Sequence, residues 1–96
     1  MKHTVKTIQK MKDDQQPITM LTAYDYPTAK KVNDAGIDMI LVGDSCAMVV
    51  HGHPNTLAAT MEMMLLHCGS VARACDRTMV IADMPFGSFQ YGIEET

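Results

Sequence analysis

Two aspartates follow apolar, strand-like runs of this sequence and are the side chains best placed to do chemistry. Asp44 comes after residues 37–42, and Asp83 comes after residues 78–82. If the two runs pair as neighbouring parallel strands, their backbones lie about 4.8 Å apart and the carboxylates can converge. Mg²⁺ is commonly bound by one or two carboxylates, with waters and substrate oxygens at its other positions. The pattern therefore predicts a site for a hard divalent cation, with Ser45 able to donate a hydrogen bond to the same substrate.

The same aspartates also suit a structural role, because an aspartate after a strand often caps the segment that follows. Spacing alone does not decide between a cap and a cation ligand. Asp25 holds a comparable position after residues 18–22, but Pro27 two residues later is typical of a helix start. Asp25 therefore suits an N-cap at least as well as a ligand, and we leave it out of the site.

The histidines give weaker signals. His51 and His53 flank Gly52 and resemble a metal pair, yet they lack helical i, i+4 spacing and no third ligand is evident nearby. We interpret them as part of a solvated loop. His67 falls inside a helical pattern and is interpreted as an ordinary helical residue near the core boundary.

Nucleotide-binding and redox motifs are missing from the sequence. The glycines form neither a GxGxxG nor a P-loop pattern and are interpreted as turns and caps: Gly36, Gly43, Gly52 and Gly87. The three cysteines include no CxxC pair and are interpreted as buried, reduced thiols. Cys46 lies next to the predicted site, but no basic residue adjoins it in sequence to lower its pKa, so we expect it to be inert. The ten methionines are interpreted as core packing.

Helices and strands alternate along the chain and must position these residues. A first helix is predicted from the cap Thr4 to the polar residues 13–17, and strands are predicted at 18–22, 37–42 and 78–82. Between the strands lie a helix that ends at Gly36 and a longer helix over 61–75, preceded by a loop. The predicted apolar positions of the longer helix are Met61, Met64, Leu65, Cys68, Val71, Ala72 and Cys75. This order is typical of a parallel sheet with right-handed crossovers. The apolar run 37–42 suits a strand covered on both faces.

Length and composition limit the remaining possibilities. The 96 residues, 47% hydrophobic and 20% charged, predict one globular domain over 1–96, with 1–16 as an N-terminal helix and linker and 17–96 as strand-helix units. Three strands do not complete such a sheet, so we expect the N-terminal part of a longer α/β protein. A net charge of −3 without a basic cluster argues against nucleic acid as a partner. No run is apolar enough for a membrane helix or a signal peptide, which predicts a cytoplasmic protein without a membrane partner.

At these residues the sequence resembles the ketopantoate hydroxymethyltransferase family, also called 3-methyl-2-oxobutanoate hydroxymethyltransferase. The resemblance covers nearly the whole chain from Ile18 onward, in the family's order and spacing. It rests on MLTAYDYP at 20–27, AGID at 35–38, LVGDS at 41–45 followed by MVV at 48–50, and ADMPFGS at 82–88. Cys46-Ala47 departs from the Leu-Gly usual there, which bears on the shape of the loop and not on the aspartate pair.

The resemblance implies a TIM (β/α)8 barrel, of which this chain would supply the N-terminal helix and the first three strands, assembled as a homo-decamer. It implies hydroxymethyl transfer from 5,10-methylenetetrahydrofolate to 3-methyl-2-oxobutanoate in pantothenate biosynthesis, with Mg²⁺ chelating the keto acid. Asp44 and Asp83 match the family's metal ligands, and Asp44, Ser45 and Asp83 match positions that contact the keto acid. The family's catalytic base, substrate lysine and third metal-associated carboxylate fall beyond Thr96, since Glu94 and Glu95 come too early. We therefore expect no catalytic base within this chain, and no activity from the chain alone.

Two other functions remain open on the sequence. One is a related Mg²⁺-dependent TIM-barrel lyase or mutase that forms an enolate from a keto acid. The other, from a different class, is a non-catalytic α/β interaction module in which Asp44 and Asp83 are plain caps.

Overall fold

The structure, a computed structural model, describes residues 2–86. Its elements in chain order are α1 (Val5–Asp13), β1 (Met20–Thr22), α2 (Tyr26–Asp34), β2 (Met39–Val42), α3 (Cys46–Val49), α4 (Met61–Ala74) and β3 (Met79–Ala82). A 3-10 turn at Thr56–Ala58 precedes α4. The predicted alternation is confirmed, but α3 lies where a loop was expected, because four residues are too few to show helical periodicity. Gly87, predicted as a turn, and Glu94 and Glu95 lie outside the described residues.

The strands form one parallel sheet in the order β1-β2-β3. In the register, Met39 at the start of β2 lies opposite Met20 of β1 and Met79 of β3. All three strands therefore begin at one edge of the sheet and end at the other. The parallel α/β arrangement is confirmed, and closure into a barrel stays a prediction.

The helix boundaries follow from local chemistry. Thr4 and Thr7 form a reciprocal capping box at the start of α1. The Asp25 carboxylate accepts a 2.8 Å hydrogen bond from the Thr28 backbone N–H and caps α2. Beyond α2, Gly36 has a φ of +84°, the left-handed conformation that glycine adopts without a side-chain penalty. The predicted N-cap at Asp25 and C-terminal cap at Gly36 are confirmed.

The core lies between the sheet and the two helices α2 and α4. Ile40 and Val42 of β2 are fully buried, in one apolar cluster with Ala29 of α2 and Val71 of α4. The alternate residues of β2 are only partly buried. The expectation that this strand is covered on both faces therefore holds for one face only within residues 2–86, because α2 and α4 pack on the same side.

The buried face of α4 differs from the predicted one. The sequence pattern placed Leu65 and Ala72 on the apolar face, but Leu65 is 65% exposed and Ala72 is also exposed. The buried positions are Met64, His67, Val71 and Ala74. The buried stripe includes a histidine, which hydrophobic periodicity alone does not select.

An apolar groove of about 240 Å³ separates α1 from the sheet. It lies at the amino ends of the strands, away from Asp44 and Asp83, and its lining residues are Val5, Ile8, Gln9, Lys12, Ile18, Met39 and Met79. Within residues 2–86 no helix is both long and apolar enough to span a membrane.

A buried amide determines where β3 begins. The Asn33 side chain, on α2, accepts hydrogen bonds from the backbone N–H groups of Arg77 and Thr78 at 3.1 and 3.0 Å. Its amide nitrogen donates to Asp76 at 2.8 Å. Because buried backbone donors require partners, this amide holds the turn before β3 against α2.

A buried carboxylate ties the N-terminal segment to the sheet. Asp38 is 7% exposed and accepts hydrogen bonds from the Thr19 backbone N–H and hydroxyl and, at 2.9 Å, from the His3 imidazole. Burial alone would raise the pKa of Asp38, but these hydrogen bonds outweigh it and lower the pKa below its ordinary 3.8. The charged form of Asp38 is thus the one that the fold stabilises.

We expect Asp38→Asn to lower the free energy of unfolding by about 1–3 kcal/mol at neutral pH, because the charge-assisted hydrogen bonds are weakened. A lowered folded-state pKa stabilises the protein above the unfolded-state value and loses that contribution as pH falls through the folded-state value. The difference in the free energy of unfolding between the native protein and the variant should therefore become smaller below pH 3.8. Urea unfolding of the whole protein that contains this chain, followed across this pH range, measures both effects.

Asp14→Asn is the matched control, since Asp14 is an exposed carboxylate that pairs with Lys10 on α1 at 3.0 Å. Exposed ion pairs contribute about 0–1 kcal/mol, so this change should have little effect on the free energy of unfolding at neutral or at acidic pH. An equal loss from both variants, or a gap at Asp38 that does not change with pH, would contradict the assignment.

Candidate metal and substrate site

The two predicted aspartates meet where β2 and β3 end. The backbone N–H of Asp83 donates to the Val42 carbonyl at 3.0 Å, which extends the β2–β3 pairing by one residue. The Asp83 carboxylate Oδ2 then accepts a 3.0 Å hydrogen bond from the backbone N–H of Asp44. Both aspartates are half-buried. The structure thus brings together the two residues that spacing alone left undecided.

Gly43 lies between the two strand ends and allows them to approach. A Cβ at this position would lie 3.3 Å from Ser45 Oγ and 3.4 Å from Asp83 Oδ2. These two oxygens therefore border the same small space beside the Gly43 backbone. Ser45, the third predicted site residue, belongs to the same group as Asp83.

Tyr24 is a member of this group that the sequence analysis did not assign. Its hydroxyl lies 2.7 Å from Ser45 Oγ, and either oxygen can donate the hydrogen. Tyr24 follows β1 by two residues, at the same edge of the sheet as Asp44 and Asp83. A tyrosine just after the end of a parallel strand was the available signal.

Asp25, the third candidate aspartate, is committed elsewhere. It is exposed, and the hydrogen bond from the Thr28 backbone lowers its pKa. Its role as the N-cap of α2 agrees with its exclusion from the predicted site.

The arrangement of Asp44 and Asp83 fits a hard divalent cation. Residues 2–86 contain no group of three or more His, Cys, Asp or Glu side chains placed to hold a metal ion. A tight all-protein cage, as in structural zinc sites, is therefore not what this part of the chain offers. One or two carboxylates, with waters and substrate oxygens at the remaining positions, are instead the usual protein ligands of Mg²⁺. The role of Asp44 and Asp83 as metal ligands stays a prediction.

The histidines require a correction. His67 is not at the core boundary: it is 8% exposed, with Nδ1 2.7 Å from the Tyr24 carbonyl oxygen and Nε2 2.9 Å from His51 Nε2. His51 and His53 are exposed, as expected for a loop, but His51 contacts His67 as well. Hydrogen bonding at both ring nitrogens is what allows a polar side chain into the core of α4.

The cysteines show no sign of reactivity. Cys46 and Cys75 are buried, Cys68 is partly buried, and all three are unpaired thiols. Burial raises the pKa of each thiol, and for Cys46 the nearby Asp44 charge raises it further. A raised pKa disfavours the nucleophilic thiolate, in agreement with the inert role predicted for Cys46.

The chain is similar to proteins of one family throughout its length. The family profile described as ketopantoate hydroxymethyltransferase matches residues 2–96. The 3-methyl-2-oxobutanoate hydroxymethyltransferase of Staphylothermus marinus is 57% identical over 94 residues, which cover 98% of this chain and 34% of that protein. The enzyme of the same name from Ignicoccus hospitalis is 52% identical over 94 residues, covering 98% of this chain and 36% of that protein.

A plant relative extends the same similarity. The Oryza sativa protein named 3-methyl-2-oxobutanoate hydroxymethyltransferase 1, mitochondrial, is 51% identical over 87 residues, which cover 91% of this chain and 24% of that protein. The chain therefore spans between 24% and 36% of the length of these curated relatives.

We expect Gly43→Ala to weaken Mg²⁺ binding to the whole protein that contains this chain. The added methyl group would lie 3.3 Å from Ser45 Oγ, tighter than an ordinary contact, and 3.4 Å from Asp83 Oδ2, so the Ser45 hydroxyl would have to shift within the space that it shares with the carboxylate. An overpacking cost of about 1–3 kcal/mol that is borne by the Mg²⁺-bound state raises the dissociation constant about 5-fold to 150-fold. Isothermal titration calorimetry with Mg²⁺ measures this change.

Gly69→Ala is the matched control, because its added Cβ meets only the flexible end of the Arg73 side chain. Alanine is also the better helix former at this position within α4, so the control should fold at least as stably and bind Mg²⁺ unchanged. Unaltered Mg²⁺ binding by Gly43→Ala would show that the space beside Gly43 does not belong to the site.

Proposed function

This chain belongs to the ketopantoate hydroxymethyltransferase family, and we propose that the whole protein containing it transfers a hydroxymethyl group from 5,10-methylenetetrahydrofolate to 3-methyl-2-oxobutanoate. The product is 2-dehydropantoate, an intermediate of pantothenate biosynthesis. The names of the relatives support the reaction class. The single structural observation that carries the proposal is the contact between Asp44 and Asp83 at the ends of β2 and β3.

The two carboxylates would hold Mg²⁺ together with the keto acid. The hydrogen bond from Asp44 N–H is made to Oδ2 of Asp83, and within residues 2–86 Oδ1 accepts no hydrogen bond, so Oδ1 would be the oxygen offered to a cation. It also fixes the orientation of the Asp83 side chain before any ligand arrives. When bound, Mg²⁺ would act as a Lewis acid and stabilise the negative charge that develops on the keto oxygen as the C3 proton leaves.

Ser45 would orient the keto acid. When the Tyr24 hydroxyl donates to Ser45 Oγ across 2.7 Å, the Ser45 hydroxyl hydrogen is free to point at a substrate oxygen. Ser45 is also the first residue before α3, and its side chain makes no capping hydrogen bond to that helix. With Tyr24 as the donor, the Ser45 hydroxyl would therefore be available to a ligand.

The remaining catalytic groups would come from the part of the whole protein that lies outside these 96 residues. We assign to that part the base that removes the C3 proton, the substrate-binding lysine and a third metal-associated carboxylate, in line with the family resemblance. The barrel, the homo-decamer and the cytoplasmic location belong to the same proposal.

We expect Asp44→Asn and Asp83→Asn each to weaken Mg²⁺ binding, and with it binding of 3-methyl-2-oxobutanoate, in the whole protein. Changes in the outer shell of a metal alone cost about 10–100-fold in affinity, so removal of a ligand charge should cost at least about tenfold. Calorimetric titration of Mg²⁺ and the keto acid together measures this loss.

Asp25→Asn removes a carboxylate at the end of β1 and serves as the control. Asparagine is as good an N-cap as aspartate, so α2 should persist and Mg²⁺ affinity should not change. Equal binding by Asp83→Asn and the native protein would reject the metal role of Asp83 and favour the cap.

We expect the whole protein to form 2-dehydropantoate only with Mg²⁺ present, to lose turnover in EDTA and to regain it with added Mg²⁺. The 96-residue chain alone should give no product, because the assigned base lies outside it. Product formation with and without folate, together with exchange of the C3 proton in D2O, distinguishes the alternatives. Exchange of the C3 proton without hydroxymethyl transfer would favour a lyase or mutase. The absence of both exchange and transfer would favour an interaction module.

A further inference from the structure

The His67 imidazole is a buried polar group whose contacts lead to the site. It lies in the middle of α4, and its Nδ1 is 2.7 Å from the Tyr24 carbonyl oxygen. A carbonyl oxygen only accepts hydrogen bonds, so Nδ1 must carry the hydrogen. Its Nε2 meets the exposed His51 imidazole at 2.9 Å. His67 therefore joins α4 to the backbone that follows β1.

Tyr24 carries this contact to the site. Its carbonyl is held by His67, and its hydroxyl, at the other end of the residue, lies 2.7 Å from Ser45 Oγ. Anchoring of the main chain limits where the tyrosine ring can point. The position of the hydroxyl thus depends on α4 as well as on β1.

Ser45 has few other constraints within the described part of the chain. Its side chain makes no cap to α3, and Tyr24 is the one side chain there that hydrogen-bonds to its Oγ. Among residues 2–86 this hydrogen bond is therefore the one polar contact that can orient the Ser45 hydroxyl beside Asp83.

We propose that His67 is a positioning residue for Ser45, acting through Tyr24. The proposal rests on the proposed function, in which Ser45 orients the keto acid. The chain of contacts runs from the His67 imidazole to the Tyr24 carbonyl, and from the Tyr24 hydroxyl to the Ser45 hydroxyl. His67 itself does not touch the substrate.

Two substitutions at position 67 separate positioning from general packing. In His67→Asn the side-chain amide places an N–H close to the position of Nδ1, so the hydrogen bond to the Tyr24 carbonyl is kept. In His67→Gln the amide reaches the position of Nε2 and loses the donor at Nδ1. The two variants have similar polarity, and both are smaller than histidine.

In steady-state assays of the whole protein we expect His67→Gln to raise the KM for 3-methyl-2-oxobutanoate about tenfold, with a smaller change in kcat. His67→Asn should restore the KM to within about twofold of the native value, and His51→Ala, which leaves the Tyr24 contact intact, should match the native protein. Tyr24→Phe should raise KM as His67→Gln does, and the double variant should be no worse than either, because both changes break one path.

Equal KM values for His67→Gln and His67→Asn, or additive effects of His67→Gln and Tyr24→Phe, would overturn the proposal. If His67→Gln does not fold, Tyr24→Phe still tests the proposal. An unchanged KM in that variant would show that the hydrogen bond between Tyr24 and Ser45 does not affect substrate binding, and the proposal would fall. Turnover by the native protein distinguishes failure of the proposed function from failure of the positioning role. Failure of the native protein to turn over the keto acid rejects the proposed function, whereas native turnover with an insensitive His67 rejects only the positioning role.

Discussion

The parallel pairing of β2 with β3 is the constraint on which the candidate site depends. Parallel strands end at the same edge of a sheet, so the residues that follow them become neighbours although 39 positions separate them in sequence. The pairing continues past the strand end through the hydrogen bond from Asp83 N–H to the Val42 carbonyl. That hydrogen bond fixes the position of Asp83 along the strand direction, next to Asp44. The glycine between β2 and Asp44 then lets the carboxylate come close to the backbone.

The helices act on this edge from behind the sheet. Val71 of α4 lies in the apolar cluster that includes Ile40 and Val42 of β2, and Met64 lies 3.7 Å from Cys46 of α3. On the same face, α4 presents His67 to the segment after β1. A single buried stripe therefore supplies both apolar packing and a polar contact. The hydrogen bonds at both ring nitrogens offset the cost of removing the imidazole from water.

Polar anchors hold the opposite edge of the sheet. Asp38 binds the residues before β1, and Asn33 binds the turn before β3, so the strand starts are joined by buried hydrogen bonds and not by apolar contacts alone. Each anchor satisfies backbone donors that the sheet itself leaves unpaired at the strand starts. With the starts fixed and the register parallel, the positions of the strand ends follow.

The sequence by itself determined the order of elements, the caps at Thr4 and Gly36, and the candidate aspartates, because each depends on residues close together in the chain. It did not reveal α3, which is too short to show a period. Nor did it show which residues of α4 face the core. An apolar pattern is compatible with several rotations of a helix, and only the packing surface selects one.

Only the tertiary structure decided that Asp44 and Asp83 are in contact, that Tyr24 reaches Ser45, and that His67 is buried. These relations join residues on different strands and helices, and local propensities carry no information about such distances. Asp25 is an example: it follows a strand as Asp44 does, yet its carboxylate caps α2. The kind of residue at each strand end was visible in the sequence, but the partner that each side chain meets was set by strand order, register and helix rotation.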